Sequence, residues 1–250
     1  MAPRRGGLIL VFDLDQTLID TATFRHEKGR ISNIGKYMNL RLIEEVLKPA
    51  SKLRGNGVDG IFLFTNNTAD AYIEGVCKYL ATTIRNTDGN AFFFDYVMTP
   101  KDSYKGAEDP YTKSISKIEH ILSHKCPYSH RERDPVTFKD YSDLAERLFF
   151  FDDQEHPNIR EFFQGVGSGA NIPNFSNHYM QIQGRKVGDG FVKGAEEAED
   201  DRTDYEPIKR ELAKIGPSEA PQGGSRKRHK HERQRERQRR LTKHARRRKN

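Results

Sequence analysis

Cysteine is scarce in this sequence: Cys77 and Cys126 are the two in 250 residues. A chain of this length with two cysteines is not a disulfide scaffold, and that usage predicts a reducing compartment. Long apolar runs are missing as well. The stretch MAPRRGGLILVFD offers five consecutive apolar residues, Leu8–Phe12, before Asp13. That is too short for a secretion signal, and no segment approaches a membrane span. The expectation is an intracellular protein, in nucleus or cytoplasm, with no membrane partner. Internal repeats are absent. Apolar residues make up 34% and charged residues 32% of the chain, so packed core does not extend along its whole length.

Charge is present in quantity and unevenly placed. Residues 225–250 hold 14 Lys or Arg against 2 Glu, a net of +12, which leaves 29 basic against 34 acidic residues in 1–224, a net of −5. The overall +7 therefore describes an acidic body with a basic tail. The tail has no aromatic residue for base stacking, so any hold on nucleic acid would be electrostatic and salt-sensitive. A basic segment of this kind suits contact with nucleic acid or with a nuclear import factor, and it favours the nucleus. It is expected to be disordered alone.

Apolar, β-prone runs recur at Leu8–Phe12, Gly60–Thr65, Phe92–Met98 and Leu148–Phe151, with a shorter one at His178–Gln183. They are near-continuous rather than alternating, as in parallel strands buried on both faces. Helical periods lie between them at Asn39–Leu53, Ala69–Arg85 and Thr112–Leu122. Strand alternating with helix predicts an α/β fold, a doubly wound Rossmann-like parallel sheet with right-handed crossovers. Residues 20–39 lack a clear period and suit a hairpin or lid. No large cap module is evident between Thr65 and Lys113. The expected division is a domain over 1–192, an acidic linker with a possible short helix at Pro207–Ile215 over 193–224, and the tail at 225–250.

In such sheets the ligand site lies at the carboxyl ends of the strands. The first strand ends in DLDQT, which puts Asp13 and Asp15 one residue apart with Thr17 close behind. The second, GIFLFTNN, ends in Thr65, Asn66 and Asn67, and LFFFDDQ ends in Asp152 and Asp153. Lys113, in YTKSISKI, opens the helix before that last strand. Four carboxylates, a hydroxyl and an ammonium would then share one crevice. Crowded carboxylates repel unless a cation or a proton is shared among them, and this mixture makes sense around a hard divalent cation and a phosphoryl group.

These four stretches resemble the four motifs of the haloacid dehalogenase superfamily. DLDQT followed by an apolar residue, together with YTKSISKI, is most similar to the FCP/SCP-type phosphatases, which act on the C-terminal repeat domain of RNA polymerase II and related phosphoproteins. The resemblance implies that Asp13 is the nucleophile and forms an aspartyl-phosphate. It implies that Asp15 is the acid and then the base. Thr65, Asn66 and Lys113 would hold phosphoryl oxygens. Mg²⁺ would sit on the Asp13 carboxylate, the Asp15 backbone carbonyl and one of Asp152 and Asp153, with Asp153 preferred. The substrate would be a phosphoprotein carrying phosphoserine or phosphothreonine.

Other readings stand beside it. Polynucleotide 3′-phosphatases of the same fold often carry FTN at the second motif, as here, and a nucleic-acid-binding protein with a non-catalytic body is a third reading. Lys105 and Lys117 rival Lys113. His120, His124, Cys126 and His130 are zinc-capable residue types, but their spacing fits no common pattern, and a solvated loop accounts for them.

Overall fold

The computed structural model describes residues 6–84, 89, 91–102, 109–123, 135–165, 177–183 and 201–215. Lys105, His124, Cys126, His130, nearly all of the acidic run 196–201 and the basic tail 225–250 lie outside them. Five strands, β1 (Leu8–Phe12), β2 (Val58–Phe64), β3 (Tyr96–Met98), β4 (Leu148–Asp152) and β5 (Tyr179–Gln181), form one sheet in the order β3-β2-β1-β4-β5, and every pairing is parallel. This is the doubly wound arrangement. The chain winds outward in one direction through β2 and β3 and in the other through β4 and β5. The strand order therefore reverses between β1 and β4.

Side-chain alternation along β1 explains the two layers. Leu8, Leu10 and Phe12 join a core on one face, with Val76 and Leu80 of α4 (Asp70–Thr83) and with Leu42, Val46 and Leu47. Ile9 and Val11 join a second core on the other face, with α5 (Ile115–Ser123), α6 (Tyr141–Arg147) and α7 (Pro157–Phe163). Both faces of β1 and β4 are thus dry, which is why their sequences are apolar without alternation.

Several elements depart from the sequence expectation for identifiable reasons. The helix expected over 39–53 is α2 (Leu40–Leu42) and α3 (Lys48–Lys52) joined by a π-helical turn, Ile43–Leu47. Pro49 has no N–H for the carbonyl four residues back, and the Lys48 N–H reaches Ile43 instead, five residues back. The strand expected over 92–98 shortens to Tyr96–Met98, because the Asp95 carboxylate takes the Ile61 N–H at 2.7 Å and replaces a ladder bond. Arg54 pairs with that carboxylate at 2.8 Å and also donates to the Phe93 carbonyl, while Phe92 and Phe94 turn into the core. Residues 20–39 form no hairpin. They fold as α1 (Thr21–His26) and a 3-10 segment, Ile31–Tyr37, packed on α4.

The boundary expected at residue 192 also falls inside the fold. Helix α8 (Glu206–Ile215) buries Ile208 and Leu212 in the first core, and Tyr205 just before it is fully buried. Asp201 accepts from Asn39 Nδ2 at 2.9 Å and from the Tyr205 hydroxyl, and Gly57, at φ +113°, carries no Cβ that would collide with Ile215. Residues 201–215 are core rather than linker. Ile208→Ala is expected to destabilise by about 2–4 kcal/mol, read as a lower urea midpoint at unchanged slope, whereas an ordinary linker position would cost nearly nothing.

Candidate active site

The crevice at the β1/β4 reversal is built by strand ends. Asp13 follows β1 directly and is fixed by its N–H to the Phe151 carbonyl at 2.8 Å, and Asp152 is the last residue of β4. The chain then doubles back. Gln16 sits at φ +60°, a left-handed conformation uncommon for a residue with a Cβ, and its N–H reaches the Ile19 carbonyl at 2.8 Å. That turn keeps Asp15 beside the sheet end.

Lys113 joins the two strand ends. Its Nζ lies 2.5 Å from Asp13 Oδ1 and 2.6 Å from Asp152 Oδ2, with the lysine 3% exposed. The rings of Phe64 and Phe150 face the same ammonium at 5.7 and 6.0 Å. An ammonium has three protons, so one donor remains beyond the two carboxylates. The rival Lys117 is also buried but points elsewhere, donating at 2.5 Å to the carbonyls of Asp109 and Thr112. It anchors the turn that carries Lys113 into the crevice.

Asp152 is fully engaged. Its Oδ2 also meets His156 Nε2 at 3.0 Å, and its Oδ1 accepts the Gln154 N–H at 2.9 Å. Tyr179 clamps the same turn, accepting from the His156 N–H and donating to the Gln154 carbonyl, each at 2.7 Å. Burial works to raise Asp152, but Lys113 and His156 outweigh it and hold its carboxyl below the ordinary range. For Asp13, burial dominates: despite Lys113, desolvation with the nearby Asp152 lifts its carboxyl well above the usual range. Lys113 is affected in the opposite sense. Burial would strip its proton, yet Asp13 and Asp152 together hold it, so Lys113 is the firmly charged member. Asp153 is pushed up to about 6 by burial and by Asp152.

One ammonium therefore does not balance this cluster. Asp13, Asp152 and Asp153 each offer an oxygen, and these lie within 4.8 Å of one another. Two of the three hold protons above their ordinary range because burial, and then the neighbouring Asp152 charge, disfavours their ionised forms. An all-oxygen donor set short of positive charge fits a hard divalent cation such as Mg²⁺. Asp152 already accepts from Lys113, His156 and the Gln154 N–H, so Asp13 and Asp153 have the larger capacity for it.

The pH dependence follows. The folded protein binds a proton on Asp153 more tightly than the unfolded chain, whose carboxyl titrates near 3.8. Without metal, Asp153 should make stability fall as pH rises from about 4 to about 6, and the raised Asp13 adds a fall of the same sign. Metal binding must displace those protons, so it strengthens over the same rise. The Mg²⁺-induced increase in Tm should be large at about pH 7.5 and nearly absent at about pH 5, and calorimetric scans with and without Mg²⁺ check both slopes.

At the second strand, Thr65 is buried and its Oγ1 accepts the Asn67 N–H at 3.0 Å. Asn67 Oδ1 takes the Ala69 N–H at 2.9 Å at the start of α4, which turns Nδ2 toward Asp15, 3.1 and 3.0 Å from its two oxygens. Thr21 Oγ1 donates to Asp15 Oδ1 at 2.5 Å. Asn66 follows Thr65 directly and has a buried Oδ1 without a hydrogen-bond partner among the described residues.

The structure thus brings Asp13, Lys113, Asp152 and Asp153 into one cluster. Asp15 is near enough to Asp13 to act on its charge. Sequence reasoning assigned no role to Asn67, Thr21, Tyr72 or His156. The run FTNN and the four-residue step from Asp152 to His156 were the available signals for two of them. Among the described residues no helix is long and apolar enough to cross a membrane. No family model, curated protein or solved structure matches the chain.

Proposed function

We propose that this chain is a Mg²⁺-dependent phosphatase of the haloacid dehalogenase type, hydrolysing phosphoserine or phosphothreonine in protein. The observation that carries this reading is the bridge from Lys113 to both Asp13 and Asp152, three residues from three separate segments, at the strand-order reversal. In this reading the Asp13 carboxylate attacks phosphorus while Asp15 gives its proton to the departing oxygen. A water then attacks the aspartyl-phosphate, its proton passes to Asp15, and orthophosphate leaves with Asp13 regenerated.

Repulsion between an anionic nucleophile and a phosphate dianion is the main obstacle, so positive charge must face the phosphoryl oxygens. Lys113 supplies it through its remaining donor. Mg²⁺, held by Asp13, Asp153 and the Asp15 backbone carbonyl, would supply the rest. The second strand end contributes through Thr65 and its neighbours. The stretch between Thr65 and Lys113 contains, among its described residues, α4 and β3 with no added module, and an open crevice suits an ester carried on a macromolecule. The basic segment 225–250 serves delivery, by nuclear import or by electrostatic contact with nucleic acid.

The test is phosphate release with Mg²⁺ from an aryl phosphate, a phosphoserine peptide and a 3′-phosphorylated oligonucleotide, side by side. Turnover of the peptide in preference to the oligonucleotide is the expected result. Preference for the oligonucleotide would make the protein a polynucleotide 3′-phosphatase. No turnover of any ester, with nucleic-acid binding unchanged by substitution of Asp13 and Asp15, would make it a binding protein.

A further inference from the structure

The phosphatase reading assigns proton transfer to Asp15 but leaves open what orients a half-buried carboxylate on a loop. Two hydroxyls behind it supply an answer. Thr21 Oγ1 lies 2.5 Å from Asp15 Oδ1 and 2.8 Å from the Tyr72 hydroxyl, and all but a few per cent of Thr21 and Tyr72 is buried. Neither residue belongs to the strand ends. Thr21 opens α1, whose N-cap Asp20 accepts the Thr23 N–H at 2.9 Å, and Tyr72 lies in the first turn of α4. Tyr72 is held by packing: Phe24 contacts it and Tyr37, with ring centroids 5.2 Å away in each case.

The direction of the hydrogen bonds follows from the count of protons. An ionised carboxylate only accepts, so the single Thr21 proton goes to Asp15, and Tyr72 must then donate to Thr21. Burial keeps the Tyr72 phenol protonated far above neutrality. With Thr21 Oγ1 on Oδ1 and Asn67 Nδ2 beside both oxygens, the Asp15 carboxylate is fixed from two sides.

Resting on that reading, we infer that Thr21 and Tyr72 form a hydroxyl relay that positions the Asp15 carboxyl for proton transfer at the leaving oxygen. In the first step the O–P bond to Asp13 forms, the P–O bond to the leaving group breaks, and the proton of Asp15 ends on the departing oxygen. In the second step the carboxylate takes the water proton, with Thr21 and Tyr72 holding its place throughout.

The leaving group provides a readout that general loosening of the fold does not move. A nitrophenolate departs without protonation, whereas an alkoxide needs the acid. The experiment measures kcat/KM with Mg²⁺ for nitrophenyl, phenyl and alkyl phosphates in wild type, Thr21→Val, Thr21→Ser and Tyr72→Phe. Thr21→Val should lower kcat/KM for the alkyl ester at least about tenfold more than for the nitrophenyl ester. Thr21→Ser should restore the wild-type pattern, and Tyr72→Phe, which keeps the buried ring, should show a smaller effect of the same sign. Equal losses across the three esters, or none, would overturn the relay while leaving the phosphatase intact. A wild-type protein that turns over none of them would overturn the phosphatase reading and the relay with it.

Discussion

Replacing Lys113 by methionine should cost about 3–5 kcal/mol of stability and abolish turnover together. The methionine fills much of the same volume, so packing changes little. What changes is charge: Asp13 and Asp152 are left buried without the ammonium that lies 2.5 and 2.6 Å from them. Breaking a buried pair from one side leaves a desolvated charge uncompensated, which is the expensive case. The two carboxyls then respond by holding their protons more tightly than in the unfolded chain. Hence the loss should be largest near neutral pH and shrink as the pH falls and the two carboxyls take up protons. Urea titrations at several pH values check this. Adding Asp13→Asn to Lys113→Met should recover part of the loss, because the remaining buried charge is then Asp152 with His156 beside it. A Lys113→Met protein as stable as the parent at every pH would show that the ammonium is not what balances the cluster.

Asp13→Asn should separate activity from stability in the opposite way. The amide has nearly the same shape but is a far poorer nucleophile, and loss of a nucleophile costs on the order of 10⁴-fold or more in turnover. Stability should hold or rise, because the parent carboxyl is buried and its proton is retained well above the ordinary range. The Mg²⁺-induced rise in Tm should fall sharply, since one of the carboxylates that would hold the cation has gone. Steady-state assays and thermal scans on the same preparation measure all three. A substitution that damaged the fold would lower Tm, and a bystander position would leave turnover intact.

The parts of this fold that announced themselves were those whose burial is complete. The β1 strand and the body of β4 stand out in the sequence because both of their faces are covered, so every residue is apolar. Asp13, Asp152 and Asp153 are conspicuous for the complementary reason, as charge placed abruptly at the end of such runs. Lys113 came from the resemblance of its surroundings; it lies just before α5, and burial alone does not separate it from Lys117.

What stayed hidden depends on contacts between distant segments. The run Phe92–Phe94 has strand composition, yet Arg54 and Asp95 divert it, and no local rule reveals that Asp95 takes the Ile61 N–H. The amphipathic pattern of α8 was visible, but its seat against the π turn depends on Asn39 meeting Asp201 and Gly57 making room for Ile215. Thr21 and Tyr72 are 51 residues apart, and their link to Asp15 is set by the way α1 folds back onto α4. Polar partners of this type carry no periodic signature, so they emerge only with the tertiary structure.

A covalent phosphoenzyme on the first strand end is the core of the account, and it can be trapped. The full chain would be mixed with excess phosphoester and Mg²⁺, quenched within the first turnovers and treated with borohydride, which reduces an aspartyl-phosphate to a homoserine side chain. Peptide mass spectrometry then assigns the altered position. Substrate-dependent reduction at Asp13, absent when Mg²⁺ is chelated, is the predicted result. Turnover of the ester with Asp13 unmodified, or with the label on another residue, would contradict it.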